Sequence, residues 1–193
     1  LMQFSIQKTL GNTIKLSGIG LHSGNTVDLV MKPAPENFGI KFCRIDINKN
    51  DHIAANYLNV VDPVLCTKIK NKNGASVSTV EHLMAAFFGE GIDNALVEVN
   101  SSEIPILDGS ANDFVEAIRT AGIKEQSSKR EFIKVLKKVK IIDGDKYISI
   151  EPLNNDLIVD FEIVYKNPLI RTRRKVFNLS KDDLNEIYSS RTF

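Results

Sequence analysis

The spacing of apolar residues changes along this chain, and that change limits what it can fold into. Ile14-Lys-Leu-Ser-Gly-Ile19 and Val27-Asp-Leu-Val-Met31 alternate with a period of two, as strands with one buried face do. His22-Ser-Gly-Asn25 supplies turn residues between them. Pro33 and Pro35 stop the second strand. Gly39 to Ile47 and Cys66 to Ile69 alternate again, with Asn71-Lys-Asn-Gly74 as a further turn. The period then lengthens. Val80, Leu83, Met84, Phe87 and Phe88 fall at i, i+3, i+4, i+7 and i+8, which is one face of a helix from Thr79 to Gly89. Ser78 and Glu81 form an S-x-x-E capping box, and Gly89 and Gly91 end the helix. A strand, Ala95 to Val99, precedes a second helix from Ala111 to Ala121. Ser110 caps that helix, Phe114, Val115 and Ile118 form its apolar side, and Gly122 stops it.

Glu125 to Arg130 is polar and without period, which places a boundary there and divides the chain into 1–126 and 127–193. Strands resume at Phe132 to Ile142, Tyr147 to Ile150 and Leu157 to Tyr165, with an Asp143-Gly-Asp turn after the first. A third helix follows Ser180, with Leu184, Ile187 and Tyr188 on its buried side. Gly24 precedes Pro33 across one strand and Gly144 precedes Pro152 across another, a weak internal repeat. The expectation is α+β: two units of similar plan, the second a short one that ends directly after its first helix.

Composition excludes several classes of function. The 193 residues are 42% hydrophobic and 25% charged, enough to bury a core without disulfide or metal. Lys+Arg 25 against Asp+Glu 24 leaves +1, so no overall charge draws the chain to a polyanion, and no nucleic-acid partner is expected. No apolar run approaches the ~18 residues of a membrane span; Leu83 to Phe88 is far too short. There is no secretory signal pattern, and Cys43 and Cys66 do not make a disulfide framework, which points to the reducing cytoplasm. Leu1 ahead of Met2 reads as an added residue, with the natural start at Met2.

Glu81-His82 is the most informative pair. At about 100° per residue the apolar face centres near Val80 and Met84, which turns His82 to the opposite side and Glu81 to the flank. The first turn of a helix disfavours imidazolium, and neutral imidazole is the form that ligates metal. A carboxylate next door can take a proton from water polarised by that metal. The same two residues also suit a plain cap and a solvated helix position. Pro105-Ile-Leu-Asp108-Gly-Ser110 suits a turn with an N-cap. Cys66 suits a buried thiol or one that touches a ligand. Arg171-Thr-Arg173-Arg174-Lys175 suits a solvated strand or an anion contact. His22 sits in a turn, and His52 has no companion at metal spacing.

Five motifs lie in one order: Gly18-Ile-Gly-Leu-His22-Ser-Gly, Ser78-Thr-Val-Glu-His82-Leu, Gly91-Ile-Asp-Asn, Glu103-Ile-Pro-Ile-Leu-Asp108-Gly-Ser and Arg191-Thr-Phe193. Together they resemble the bacterial zinc deacetylases that act on UDP-3-O-acyl-N-acetylglucosamine in lipid A synthesis, and the likeness runs from Gln7 to Phe193. It implies two α+β domains packed face to face, each a sheet with two helices, with the active site between them. It further implies that His82 is a Zn2+ ligand, Glu81 the general base and Thr192 a donor to the developing oxyanion. Leu21, His22, Cys66 and Phe193 would line the route of sugar and acyl chain. The family's other two zinc ligands, in an H-x-x-x-D motif, and its general-acid histidine follow the Arg-Thr-Phe motif. The resemblance therefore implies an N-terminal fragment with a truncated second domain, an open sheet edge, no zinc set of its own and no activity without the C-terminal part of the same enzyme. The competing expectations are a non-catalytic nucleotide-sugar or protein-binding module on this fold, and a purely structural fragment.

Overall fold

The computed structural model of the chain describes residues 6–154 and 156–191. Its strands are β1 (Ile6–Leu10), β2 (Ile14–Ile19), β3 (Thr26–Pro33), β4 (Ile40–Arg44), β5 (His52–Ala54), β6 (Ile69–Lys70), β7 (Ser76–Val77), β8 (Ala95–Val99), β9 (Ile123–Lys129), β10 (Val139–Asp143), β11 (Lys146–Ile150), β12 (Ile158–Val164) and β13 (Thr172–Asn178). Its helices are α1 (Glu81–Glu90), α2 (Asn112–Ala121) and α3 (Leu184–Tyr188). The fold is α+β. The described residues form two compact units, a larger one of 6–130 with 185–191 and a smaller one of 131–184.

The larger unit is built on a five-stranded sheet in the order β2-β3-β8-β4-β5, with only β4 and β8 parallel. Period-two alternation does its work here. Leu29 pairs with Val99 and Met31 with Val97, and all four are buried. Helix α1 packs on α2, and the core gathers Leu83, Ala86 and Phe87 from one with Phe114, Val115 and Ile118 from the other. Gly91, at φ 72, ends α1 in the left-handed helical region, and Gly122, at φ 79 and ψ 165, ends α2 in a different positive-φ conformation; glycine tolerates both.

Several sequence expectations change. The stretch 125–130 is not without structure: it lies largely within β9, antiparallel to β1 more than a hundred residues earlier. Its side chains are mostly exposed and polar, so no hydrophobic period marks it. Polar bonds hold it instead. The Glu36 carboxylate accepts from the Ser127 N–H and from the Ser127 and Ser128 hydroxyls. Gln126 joins a chain of amides through Asn94 to Gln7. Cys66 lies in a bend, and strand structure begins only at Ile69, because Leu65 takes a positive φ of 61 that breaks the extended run. The strand expected over Phe132 to Ile142 starts at Val139. Helix α1 starts at Glu81, and Phe88 is 60% exposed, so its buried face is centred on Leu83 and Phe87 rather than on Met84.

The smaller unit contains two antiparallel hairpins, β10–β11 and β12–β13. Gly144, at φ 59, opens the first turn as Gly24, at φ 67, does between β2 and β3, which is where the weak repeat was read. Among described residues 131–184 only Phe177 is a buried apolar side chain. The Arg171 to Lys175 charge run falls mostly on exposed β13, with Arg174 doubly hydrogen-bonded to Asp160.

After the smaller unit the chain returns. Tyr188 of α3 is buried, and its carbonyl accepts the Ala111 N–H at 2.9 Å. Its ring occupies the notch left by the missing side chain of Gly89, where a Cβ would lie 2.0 Å from the hydroxyl. Arg119 covers the ring at 5.6 Å and is bound to Glu90 at 2.7 Å.

Candidate active site

The expected capping box is not formed, and the reason shapes the site. Ser78 is committed to strand pairing: its N–H donates to the Ser102 carbonyl, and its own carbonyl accepts from Ile104. Its hydroxyl turns to the Ser102 carbonyl as well, at 3.1 Å. Thr79 then takes φ 58 and swings the chain into α1. Glu81 is left free of capping, and its carboxylate accepts the Thr67 N–H at 3.0 Å. The Thr67 carbonyl accepts the Val80 N–H in return. Two bonds therefore hold the Cys66-Thr67 bend against the start of α1.

His82 follows Glu81, and both are half-buried. Relative to the observed buried face, helical rotation places His82 about 110° and Glu81 about 150° away, so neither is a core residue. Among the described residues no group hydrogen-bonds the His82 ring. A half-exposed imidazole next to an oriented carboxylate can ligate a metal or move a proton.

His22 and Cys66, 44 positions apart, line one open cavity of about 300 Å³ together with Asp62, Val64, Lys68, Ser76, Ser78 and Ser102. Leu21, next to His22, is 51% exposed. The loop that carries both is tied down by Glu103, whose carboxylate accepts the His22 and Ser23 N–H groups and the Thr79 hydroxyl. Burial acts to raise the Glu103 pKa. The donors on His22, Ser23 and Thr79 outweigh it and hold the carboxyl below its ordinary range. Sequence reasoning placed Glu103 in a motif but gave it no task. The signal was available: a carboxylate beside Ile104-Pro-Ile-Leu is drawn into the interior, where it must find partners.

Asp108 accepts from the Ser110 hydroxyl and N–H and pairs with Arg191 at 3.4 Å. These contacts, the Ser110 hydroxyl first, keep its carboxyl below the ordinary range. Ser110 in turn accepts the Asn112 N–H through its hydroxyl, although α2 is entered from Ala111. Two motifs thus meet at Asp108 and Arg191, 83 positions apart. Thr192 and Phe193 lie outside the described residues. No group of three His, Cys, Asp or Glu side chains among the described residues can hold a metal ion. His52, on β5, instead meets the Phe38 ring edge-on at 6.0 Å. No helix among the described residues is long and apolar enough to cross a membrane.

Comparison with known proteins identifies the family of the chain. Residues 7–193 match the family model described as UDP-3-O-acyl N-acetylglycosamine deacetylase. Curated proteins named UDP-3-O-acyl-N-acetylglucosamine deacetylase are similar across 97% of this chain: 42% identical in Haemophilus ducreyi, 44% in Cellvibrio japonicus and 44% in Vibrio cholerae. The chain spans 62% of the length of each. The chain belongs to the UDP-3-O-acyl N-acetylglycosamine deacetylase family.

Proposed function

We propose that this chain carries the general-base half of a zinc-dependent amide hydrolase, one that removes acetate from UDP-3-O-acyl-N-acetylglucosamine in lipid A synthesis in the cytoplasm. The observation that carries the reading is Glu81: a helix-entry carboxylate withdrawn from capping, oriented by the Thr67 N–H and set beside the half-exposed His82 ring.

His82 suits one place in a zinc set, as a half-exposed imidazole. The other two histidines do not complete that set among the described residues, where no three His, Cys, Asp or Glu side chains are grouped to hold a metal ion, and His52 packs on Phe38. When bound, zinc supplies polarisation of an amide carbonyl and a lowered pKa for water. The chain's own share is proton handling and positioning. Glu81 accepts the proton of the attacking water, and the Thr67 N–H fixes which carboxylate oxygen does so. Thr192 donates to the oxyanion that develops. Leu21, His22, Cys66 and Phe193 line the path of sugar and acyl chain, with Cys66 fixed by the same bend that orients Glu81.

The test is acetate release from the nucleotide-sugar, measured on the protein expressed from its full reading frame. Glu81→Ala should lower turnover by about 10²–10⁴-fold and leave substrate affinity nearly unchanged. Unchanged turnover in that variant would reduce the chain to a binding module. Residues 1–193 alone, with added zinc, should show no turnover. Turnover close to that of the longer protein would refute the need for ligands from elsewhere.

A further inference from the structure

Glu103 is the only buried charged side chain among the described residues, at 1% exposure. Its donors come from two separate places. The His22 N–H at 3.0 Å and the Ser23 N–H at 2.9 Å belong to the loop of residues 20–25. The Thr79 hydroxyl at 2.9 Å belongs to the turn that enters α1. Gly20 makes room for the carboxylate, since a Cβ there would stand 2.5 Å from Oε2. Thr79 holds φ 58, an uncommon conformation for a β-branched residue, and donates from it. A buried carboxylate needs several donors to stay charged. Here the donors are spread over two segments that no local sequence contact joins.

We propose that Glu103 is a positioning residue that fixes the Leu21–His22 loop to the entry of the Glu81–His82 helix. Substrate loop and general base then keep one spacing. The functional half of this inference rests on the deacetylase reading above; the structural half does not. An ordinary buried carboxylate would stabilise the whole sheet and leave the loop no more affected than the strands.

Amide hydrogen exchange on the 193-residue chain separates the two. In Glu103→Gln the His22 and Ser23 amides should exchange at least about tenfold faster, while Met31 and Val97 in the sheet keep their protection. Thr79→Val retains both loop donors and serves if the first variant does not fold. It should leave the His22 and Ser23 amides protected and loosen Met84, whose N–H bonds the Val80 carbonyl in the first turn. In the protein from the full reading frame, Glu103→Gln should raise KM by roughly tenfold or more, with zinc content unchanged. Thr79→Val should lower kcat more than it raises KM. Equal loss of protection across loop and sheet in Glu103→Gln, or unchanged loop exchange, overturns the proposal. Faster loop exchange in a protein without deacetylase activity would uphold the clamp and sink the reading of function.

Discussion

Residues 6–130 enclose Phe42, Phe87, Phe114 and Ile118 almost completely, whereas residues 131–184 leave Phe161, Ile148 and Val164 more than half in water. Both stretches contain alternating strands, so strand pattern is not the difference. In the larger unit a five-stranded sheet and two packed helices supply a second layer for the apolar face. In the smaller unit each described sheet has two strands, and a two-stranded ribbon cannot hide its own side chains. Alternation specifies a face; burying that face takes a further element.

Paired truncations give the sharpest break in this comparison. Phe87→Ala should cost about 3–5 kcal/mol in urea unfolding of the larger unit. Ile148→Ala, at a site 71% exposed, should stay within about 0.5 kcal/mol. Similar costs for the two would erase the distinction. A smaller effect is expected where the chain returns. Gly89→Ala places a Cβ against the Tyr188 ring and should cost about 1–3 kcal/mol. The readout is faster exchange at the Ala111 amide, which bonds the Tyr188 carbonyl, without change in β10–β11. If β10–β11 loosens equally, residues 185–191 do not belong with the larger unit.

The pH effects are the smallest and have opposite signs. Burial, followed by the Glu90 carboxylate, pushes the Tyr188 hydroxyl from 10.0 up to about 12. A raised value means that its contribution is whole below pH 10.0 and is lost as pH rises towards 12. Ultraviolet titration should show one of the four tyrosines ionising late, together with release of the Ala111 amide. The hydroxyls and N–H groups of Ser127 and Ser128, the Ser127 hydroxyl first, lower Glu36 from 4.5 to about 2. Its contribution is present above pH 4.5 and fades as pH falls towards 2, loosening β9 from the loop at Glu36. Acid-insensitive exchange at Ser127 would show that this bond does not hold the strand.

Legibility followed the range of the interaction. The strands at Ile14, Val27 and Ala95 and the helices at Leu83 and Phe114 announce themselves because side-chain period is a local property. Glu81-His82 was visible for the same reason: two adjacent residues on a recognisable helix. The role of Glu81 was not. The S-x-x-E spacing is that of a capping box, and only the pairing of Ser78 with Ser102 and Ile104 removed it from that task. Strand β9 went unread because its polar side chains carry no period and its partner lies at the other end of the unit.

What the sequence settled by itself is the inventory: strand faces, two amphipathic helices, glycines at left-handed turns, and a carboxylate beside an imidazole. These depend on neighbours a few residues apart, whose geometry the backbone fixes. The tertiary structure decided which groups meet. It brought Cys66 to the cavity of His22, placed Glu103 between the loop and α1, and seated Tyr188 in the notch at Gly89. Those meetings depend on closing loops of tens of residues. That closure is driven by burial of the shared core, and no local pattern records it.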